Sequence, residues 1–349
     1  MIQSKTLYAC PGSGEELNFS DTGFSTSDGR RQFPTVDGVP NFLAYPSIED
    51  GEQVQTLIWL NEEARTKGWE ASLRAVYGKS SGIYQYVTDE QRAAFLDLLP
   101  LNDQAVVLEI GTGLGQITAP LAERCKLVYG LEVVPGQARF TGERCRQSGL
   151  TNVLVAAGGD DCQLPYASSG FDVVICNLVL EWCAAREQRI QAEAGQRQFL
   201  SEAFRVLKRG GSLWVNTKNR FSLRNLFDDS KGCTDDGKRT GRLRKVLLSL
   251  VGKNRHDGLT HSYNKLTAML QEAGFRDLQS FWAAPEMRCP TAFIPTDPAS
   301  VRAARQAGNL VQGDTRSTRL LMPLVPAPWV KLVMPGLTFL AKKYESGEI

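Results

Sequence analysis

The segment Ala105–Gln116, AVVLEIGTGLGQ, constrains the fold of this chain more than any other. Its apolar residues up to Ile110 form a run that is typical of a strand buried on both faces in a parallel sheet. Gly111, Gly113 and Gly115 follow at alternate positions, where a missing Cβ allows positive φ and close approach of a ligand to the backbone. A helical pattern comes next. The segment therefore predicts a strand, a glycine turn and a helix that together hold a nucleoside-bearing cofactor.

The spacing of these glycines distinguishes two classes of cofactor. Dinucleotide-binding proteins carry G-x-G-x-x-G after the strand. This chain has G-x-G-x-G instead, with the acidic residue Glu109 two positions before the first glycine. This spacing differs from the dinucleotide fingerprint and resembles the glycine pattern of S-adenosylmethionine-dependent methyltransferases.

Acidic residues follow the next two predicted strands. Glu132 ends the strand at 126–131, about twenty residues after the first glycine, where a carboxylate can accept hydrogen bonds from both ribose hydroxyls. After a third strand at 152–157, Asp160 or Asp161 is placed to accept a hydrogen bond from an adenine amino group. The pattern thus predicts carboxylates for both parts of an adenosine.

Taken together, these motifs resemble the ordered motifs of class I S-adenosylmethionine-dependent methyltransferases over roughly residues 100–220. The resemblance implies an α/β fold with a doubly wound, mostly parallel seven-stranded sheet of the Rossmann-like type. It also implies S-adenosylmethionine as the cofactor and S-adenosylhomocysteine as the product. The residues that it assigns to the cofactor are Glu109, Gly111, Thr112, Gly113, Gly115, Glu132, Asp160, Asp161 and Asn177.

The pattern of residue types divides the chain into three parts. Residues 1–45 predict a small β-rich subdomain, and residues 46–100 predict a helical lid or linker. Residues 101–349 predict the methyltransferase core, with an insertion at about 220–260 that would help to form the acceptor pocket.

Residues 8–43 have the layout of a short zinc ribbon, with two knuckle-like turns around a hairpin. Zinc ribbons bind the metal through four Cys or His ligands, most often thiolates. The corresponding positions are Cys10, Ser13, Ser25 and Asp28, so we expect a degenerate ribbon without structural zinc. Its stability would come from a small core of Tyr8, Phe19, Phe24, Phe33, Val36, Val39 and Phe42.

Methylation of a hydroxyl requires a base to remove the proton. The chain has two histidines, His256 and His261, both before a predicted helix at 265–273. We predict His261 as the base and His256 as the second candidate; a histidine in this place can also simply cap the helix. Asp228 and Asp229 are alternative bases or sugar-hydroxyl partners, with a solvated loop as the structural alternative.

Five further residues are predicted to contact the acceptor. Tyr84 and Tyr86 belong to the helical lid, where packing of helices onto the sheet is the alternative role. Asn177 ends the fourth predicted strand, 171–177, and Glu181 follows shortly after it. Asn219 and Arg220 match the start of a stretch found in bacterial methyltransferases encoded with surface-glycan genes, although the acidic-histidine part of that stretch is replaced here.

These features predict O-methylation of a sugar, a glycan or a glycosylated small metabolite in a biosynthetic pathway. One alternative is methylation of an rRNA or tRNA base, but a net charge of +2 from 40 basic and 38 acidic residues gives no general affinity for nucleic acid. The other alternative is a non-catalytic accessory module of the same fold. The preferred partner is therefore a small molecule or glycan.

The sequence predicts a cytoplasmic protein. Its eight cysteines show no disulfide-framework spacing, and no signal peptide is recognisable. The most apolar stretch, 320–341, contains four prolines and a lysine, which disfavour a membrane span. We predict a loop followed by a last strand at 337–342, with peripheral contact to lipid as an alternative use of its apolar residues.

Overall fold

The computed structural model describes six segments of the chain: residues 6–45, 51–184, 189–224, 258–285, 287–307 and 316–344. It divides into two compact units. The first unit contains Met1–Ile175 and Ser201–Ser212, and the second contains Cys176–Leu200 and Leu213–Ile349.

The first unit begins with a small antiparallel sheet whose strands follow each other in chain order. Its strands are β1 (Asn18–Ser20), β2 (Gly23–Ser25), β3 (Gln32–Val36) and β4 (Val39–Pro40).

Aromatic rings form the core of this subdomain. Tyr8 lies 5.2 Å from Phe24 and 5.3 Å from Phe42, measured between ring centroids. Phe19 and Val36, which the sequence placed in this core, are instead exposed by 62% and 46%. The short strands present these two side chains outward, so the buried core is smaller than predicted.

The chain between this subdomain and the glycine turn is mainly helical. Its helices are α1 (Gly51–Lys67), α2 (Trp69–Tyr77), α3 (Gly82–Thr88) and a 3-10 helix, Glu90–Leu98. Leu57, Leu60 and Leu73 pack with Phe140 in one buried cluster, which also includes Leu114 of the glycine turn. The apolar face of the helical segment is thereby anchored within the first unit.

The main sheet of the first unit has the strand order β9–β8–β5–β6–β7. These strands are β5 (Val106–Ile110), β6 (Leu127–Glu132), β7 (Val153–Ala157), β8 (Phe171–Asn177) and β9 (Leu207–Lys218), with β8 and β9 continuing into the second unit. The strand β6 is parallel to both β5 and β7. Helices α4 (Thr118–Ala122) and α5 (Pro135–Gln147) connect them. The carboxyl ends of β5 and β6 therefore lie side by side.

The second unit has the strand order β11–β10–β12–β9. The strand β10 (Phe275–Ala284) is antiparallel to β11 (Ala292–Pro295) and to β12 (Gly336–Lys343). Its helices are α6 (Arg189–Val206, whose last residues belong to the first unit), α7 (Tyr263–Glu272), α8 (Pro298–Gln306), α9 (Arg316–Leu321) and α10 (Val330–Val333), with 3-10 helices at Leu180–Trp182, Met322–Leu324 and Ala327–Trp329.

The Rossmann-like α/β fold with a mostly parallel sheet is confirmed. The described residues contribute eight strands to the large sheet, because β11 adds an edge strand to the seven predicted. No helix among the described residues has both the length and the apolar character needed to cross a membrane.

The strand β9 runs through Gly210 and Gly211. A Cβ on Gly211 would lie 2.8 Å from the Lys208 carbonyl oxygen and 3.1 Å from that of Asp172, so glycine allows a close backbone approach there. The stretch after Leu320 forms short helices rather than a loop before β12.

Candidate active site

The glycine turn after β5 has the backbone conformation that its sequence predicts. Gly111, Gly113 and Gly115 have φ values of 79°, 55° and 77°, a region that L side chains rarely adopt. A Cβ on Gly115 would also lie 3.2 Å from the side chain of Arg144 and 3.3 Å from that of Thr141. Glycine is thus required both by the turn and by the helix that packs on it.

Glu132 holds this turn from the carboxyl end of β6. Its Oε2 accepts a hydrogen bond of 2.8 Å from the Gly113 N–H, and its Oε1 accepts one of 3.1 Å from the Val134 N–H. The side chain is buried. The carboxylate that the sequence assigned to a ribose therefore lies directly at the glycine turn.

Two residues of α5 that the sequence analysis missed complete the support of the turn. The Thr141 hydroxyl donates to the Gly113 carbonyl at 2.9 Å, and Arg144 Nη1 donates to the Leu114 carbonyl at 3.0 Å. Burial lowers the pKa of the Arg144 guanidinium to about 10, so it keeps its charge at neutral pH. A buried threonine and arginine one turn apart on a helix would have been the sequence signal.

Glu109 and Thr112 lie in the interior beside the turn. The Thr118 hydroxyl donates to Glu109 Oε2 at 2.6 Å. Burial raises the pKa of the Glu109 carboxyl to about 8, with a smaller rise from the charge of Glu132. Thr112 Oγ1 is also buried and has no hydrogen-bond partner in the described structure. Glu109 is thus mainly protonated at neutral pH and engaged with Thr118.

Asp160 and Asp161 follow β7, as the sequence predicted. The two carboxylate oxygens of Asp160 accept hydrogen bonds from the backbone N–H groups of Ala44 and Tyr45, at 3.0 and 2.9 Å. Asp161 accepts from the Gln163 N–H, and burial raises its pKa. Asp160 thereby holds the end of the N-terminal subdomain, at Ala44 and Tyr45, close to the end of β7.

The two lid tyrosines have different surroundings. Tyr84 is buried, and its hydroxyl donates to Glu70 Oε1 at 2.9 Å. Tyr86 is half-buried, with the guanidinium of Arg92 only 3.5 Å from its ring centroid. Both rings take part in packing within the helical segment.

In the second unit, Asn177 at the end of β8 belongs to a chain of polar side chains. Asn216 of β9 donates from Nδ2 to Asn177 Oδ1 at 3.0 Å. The Thr338 hydroxyl of β12 donates to Asn216 Oδ1 at 3.1 Å, and this threonine is fully buried. The orientation of both amides is therefore fixed by hydrogen bonds.

Glu181, one of the residues predicted to contact the acceptor, is buried, with 1% of its surface exposed. Thr217 donates to its Oε2 at 2.7 Å, whereas its Oε1 has no hydrogen-bond partner among the described residues. Burial raises the pKa of the Glu181 carboxyl, and the Thr217 hydrogen bond offsets part of that rise. A carboxyl with a raised pKa is a stronger base once ionised than an ordinary glutamate.

His261 is buried and bonded to Gln196 of α6, with 2.6 Å between His261 Nε2 and Gln196 Oε1. The Gln196 amide nitrogen donates to the carbonyls of Leu180 and Leu259. Since this leaves Oε1 as the acceptor, His261 Nε2 is assigned the proton. The imidazole is thus a donor at this nitrogen.

Two other residues predicted to contact the acceptor, Asn219 and Arg220, directly follow β9. Asn219 is fully buried, and its amide donates to the carbonyls of Leu332 and Met334. Arg220 donates its backbone N–H to the His261 carbonyl. His256, Asp228 and Asp229 lie outside the described residues. Asn219 therefore serves to join two segments of the second unit.

At the ribbon-like N-terminus, an arginine contacts the one cysteine of the predicted ligand set. Arg31 Nη1 lies 3.1 Å from Cys10 Sγ and donates to the Pro11 carbonyl at 2.7 Å. The Thr26 hydroxyl donates to Asp28 Oδ1 at 2.7 Å. No group of three or more His, Cys, Asp or Glu side chains in the described segments is placed to hold a metal ion.

Comparison with known families matches part of this core. Residues 108–215 match the model of a family described as a methyltransferase domain. The glycine turn and Glu132 both lie within the matched region.

Several curated proteins are similar to part of the chain. A malonyl-[acyl-carrier protein] O-methyltransferase of Marinomonas is 27% identical over 160 residues, which are 44% of this chain and 54% of that protein. The biotin biosynthesis bifunctional protein BioHC of Cellvibrio japonicus is 34% identical over 145 residues, 40% of this chain and 26% of that protein. A protein-L-isoaspartate O-methyltransferase of Magnetococcus marinus is 48% identical over 96 residues, 28% of this chain and 41% of that protein. The chain thus spans about a quarter to a half of these relatives.

The solved structures to which the chain is similar are more distant in sequence. Phosphoethanolamine N-methyltransferase 1 of Haemonchus contortus, in complex with phosphoethanolamine and S-adenosylhomocysteine, has a TM-score of 0.48 at 15% identity, covering 88% of this chain and 52% of that one. The YcgJ protein of Bacillus subtilis has a TM-score of 0.44 at 14% identity, covering 73% of this chain and 99% of that one.

The donor residues fit S-adenosylmethionine. The positive φ angles leave the turn backbone open to a ligand, and Glu132 offers carboxylate oxygens at the end of the neighbouring strand. The buried Thr112 hydroxyl without a partner adds a polar group beside the turn. These are the groups that a nucleoside with two ribose hydroxyls requires.

Proposed function

We propose that this chain is an enzyme that transfers the methyl group of S-adenosylmethionine to an oxygen atom of a small polar acceptor. The hydrogen bond between Glu132 and the Gly113 N–H carries the donor half of this proposal. It fixes a carboxylate at the strand end where the ribose of an adenosine is bound in this fold.

S-adenosylmethionine supplies a sulfonium whose methyl carbon is open to in-line attack. The residues of the chain would then bind the donor, orient the acceptor and remove its proton. Glu132 would accept from the ribose hydroxyls, and Gly111 to Gly115 would lie against the methionine part. Thr141 and Arg144 would keep the turn in the conformation that this requires.

We propose a hydroxyl of a sugar or glycosylated metabolite as the acceptor, with Glu181 as the base. An alcohol loses its proton only late in the reaction, so a nearby base lowers the barrier. The raised pKa of Glu181 and the unpartnered Oε1 suit proton removal. Asn177 and Asn216 offer amide groups of fixed orientation for neighbouring hydroxyls.

A carboxylate acceptor is the second candidate, because malonyl-[acyl-carrier protein] and isoaspartate occur in the names of the curated relatives. A carboxylate is already ionised at neutral pH, so its methylation requires no base. The two candidates thus differ in their need for Glu181.

His261 competes with Glu181 as the base. Its Nε2 donates to Gln196, so proton removal would have to use the other ring nitrogen. We therefore propose that His261 positions the loop at Leu259 through Gln196, which donates to the Leu259 carbonyl.

The test begins with binding of S-adenosylhomocysteine, measured by calorimetry on the full chain. Transfer of labelled methyl is then measured with nucleotide sugars, simple glycosides and malonyl-acyl carrier protein. Mild alkali releases methanol from a methyl ester but leaves a methyl ether intact, so the product identifies the acceptor oxygen. Absence of binding would refute the methyltransferase proposal, and an alkali-labile product would refute the hydroxyl.

Two variants, each measured by kcat and its pH dependence, assign the base. Glu181→Gln should lower kcat by about a hundredfold or more and remove the rise of kcat with pH, with unchanged affinity for S-adenosylhomocysteine. His261→Gln should keep that pH dependence. The reverse result would assign the base to His261.

A further inference from the structure

The second unit carries a cluster of exposed apolar residues between Leu320 and Trp329 that the donor and acceptor residues do not use. We call this the 320–329 surface; its exposed members are Leu320, Pro323, Leu324, Pro326, Pro328 and Trp329. Leu324 is 77% exposed, the highest value among the exposed large hydrophobic residues of the described structure, and Leu320 and Trp329 are 61% and 60% exposed. Several large apolar side chains exposed within ten residues indicate an interaction site.

The surface is ordered by anchors that alternate with the exposed residues. Met322, Ala327 and Val330 are buried. Arg305 of α8 donates from Nη2 to the carbonyls of Met322 and Val325, at 3.0 and 2.6 Å. The exposed side chains therefore project from a backbone that is held in place, which gives an amphipathic surface.

The stretch of sequence that carries this surface is basic. Between Pro298 and Met334 it has one acidic residue, Asp314, and five basic ones: Arg302, Arg305, Arg316, Arg319 and Lys331. Arg302 and Arg319 are exposed. Asp297, just before this stretch, is engaged as the cap of α8. The net charge of this stretch is therefore positive.

We propose that the 320–329 surface binds a lipid bilayer with anionic headgroups. A bilayer interface accepts tryptophan and leucine side chains without demanding a complementary shape. Arginine and lysine beside them attract anionic headgroups, while their aliphatic parts remain against apolar surface. A projecting tryptophan and leucines in a basic stretch therefore fit an anionic bilayer better than a neutral one.

The test is sedimentation of the full chain with phosphatidylcholine vesicles, with and without phosphatidylglycerol. We expect binding to the anionic vesicles, weakened by added salt. Leu324→Ser and Trp329→Ser should each lower the partition coefficient about tenfold or more. Arg302→Glu should lower it as well. The exposed Ile83 and Trp59 of the first unit give matched controls, and Ile83→Ser and Trp59→Ser should leave binding unchanged.

Three outcomes would overturn the proposal. The first is no binding to anionic vesicles, and the second is equal binding to vesicles of phosphatidylcholine alone. The third is a concentration-dependent dimer that Leu324→Ser and Trp329→Ser abolish, because the surface would then serve self-association. No methyl donor is present in this experiment, so its result is independent of the proposed enzymatic activity.

Discussion

The guanidinium carbon of Arg144 lies 4.1 Å from the centroid of the Trp69 ring, while its Nη1 donates to the Leu114 carbonyl. The same nitrogen is 3.4 Å from the Val87 carbonyl oxygen. One buried cation on α5 therefore joins the helices that precede the core to the glycine turn of the donor site. Displacing those helices would disturb the turn.

Arg144→Met should destabilise the first unit by about 3 kcal/mol, because it removes charge-assisted hydrogen bonds and leaves the Leu114 carbonyl buried without a donor. Urea unfolding measures the change. Arg146→Met on the same helix is the control, since Arg146 is exposed and pairs only with Glu143 at the surface. Equal effects of the two substitutions would show that Arg144 does not join these elements.

Glu132→Gln tests the ribose role while preserving the shape of the side chain. We expect affinity for S-adenosylhomocysteine to fall by about 1.5–3 kcal/mol, because a neutral amide accepts hydrogen bonds more weakly than a carboxylate. Calorimetry measures it. Asp97→Asn, at an exposed carboxylate of the same unit, should leave the affinity unchanged. An unaltered dissociation constant for Glu132→Gln would reject the role.

Glu109 should make the stability of the chain depend on pH. Its pKa is about 8 in the fold, against an ordinary value of 4.5. The unfolded chain therefore loses this proton at lower pH than the folded chain does. The stabilising contribution is full below pH 4.5 and is lost as the pH rises to about 8, a change of about 3–5 kcal/mol.

Glu109→Gln removes this titration and keeps an acceptor for Thr118. The stability of the variant relative to wild type should rise steadily between pH 5 and 8 in urea unfolding without cofactor. A constant difference across this range would contradict the assignment of a raised pKa.

Gly258 and Gly210 form a matched pair for backbone strain. Both have positive φ, 69° and 74°. A Cβ on Gly258 would lie 2.1 Å from the Glu181 carbonyl oxygen, whereas one on Gly210 would meet no atom within 4 Å. Gly210→Ala should cost about 1–2 kcal/mol from the backbone alone.

Gly258→Ala should cost at least about 2 kcal/mol more, because the methyl group must displace the Glu181 backbone. Thermal or urea unfolding of the two variants measures the difference. Equal losses would mean that Gly258 is required only for its backbone angles.

The sequence predicted the parts of this molecule that depend on local pattern. Continuous apolar runs identified the strands, and β8 was predicted at its observed bounds, Phe171–Asn177. Alternate glycines identified a turn with positive φ, and the position of Glu132 at the end of β6 followed from strand order. These features are encoded within about twenty consecutive residues.

Contacts between distant segments were not predictable in this way. The hydrogen bonds of Thr141 and Arg144 to the turn depend on how α5 packs, and no local pattern specifies that. The outward direction of Phe19 and Val36 depends on the register of very short strands, where a shift of one residue reverses every side chain. The edge strand β11 has only four residues and an equally weak signal.

The contact between Arg31 and Cys10 joins two groups that both belong to the polypeptide. It therefore forms without any ligand beyond the polypeptide itself. It depends instead on the redox state of a single thiol, because oxidation of Cys10 would change the atom that the guanidinium contacts.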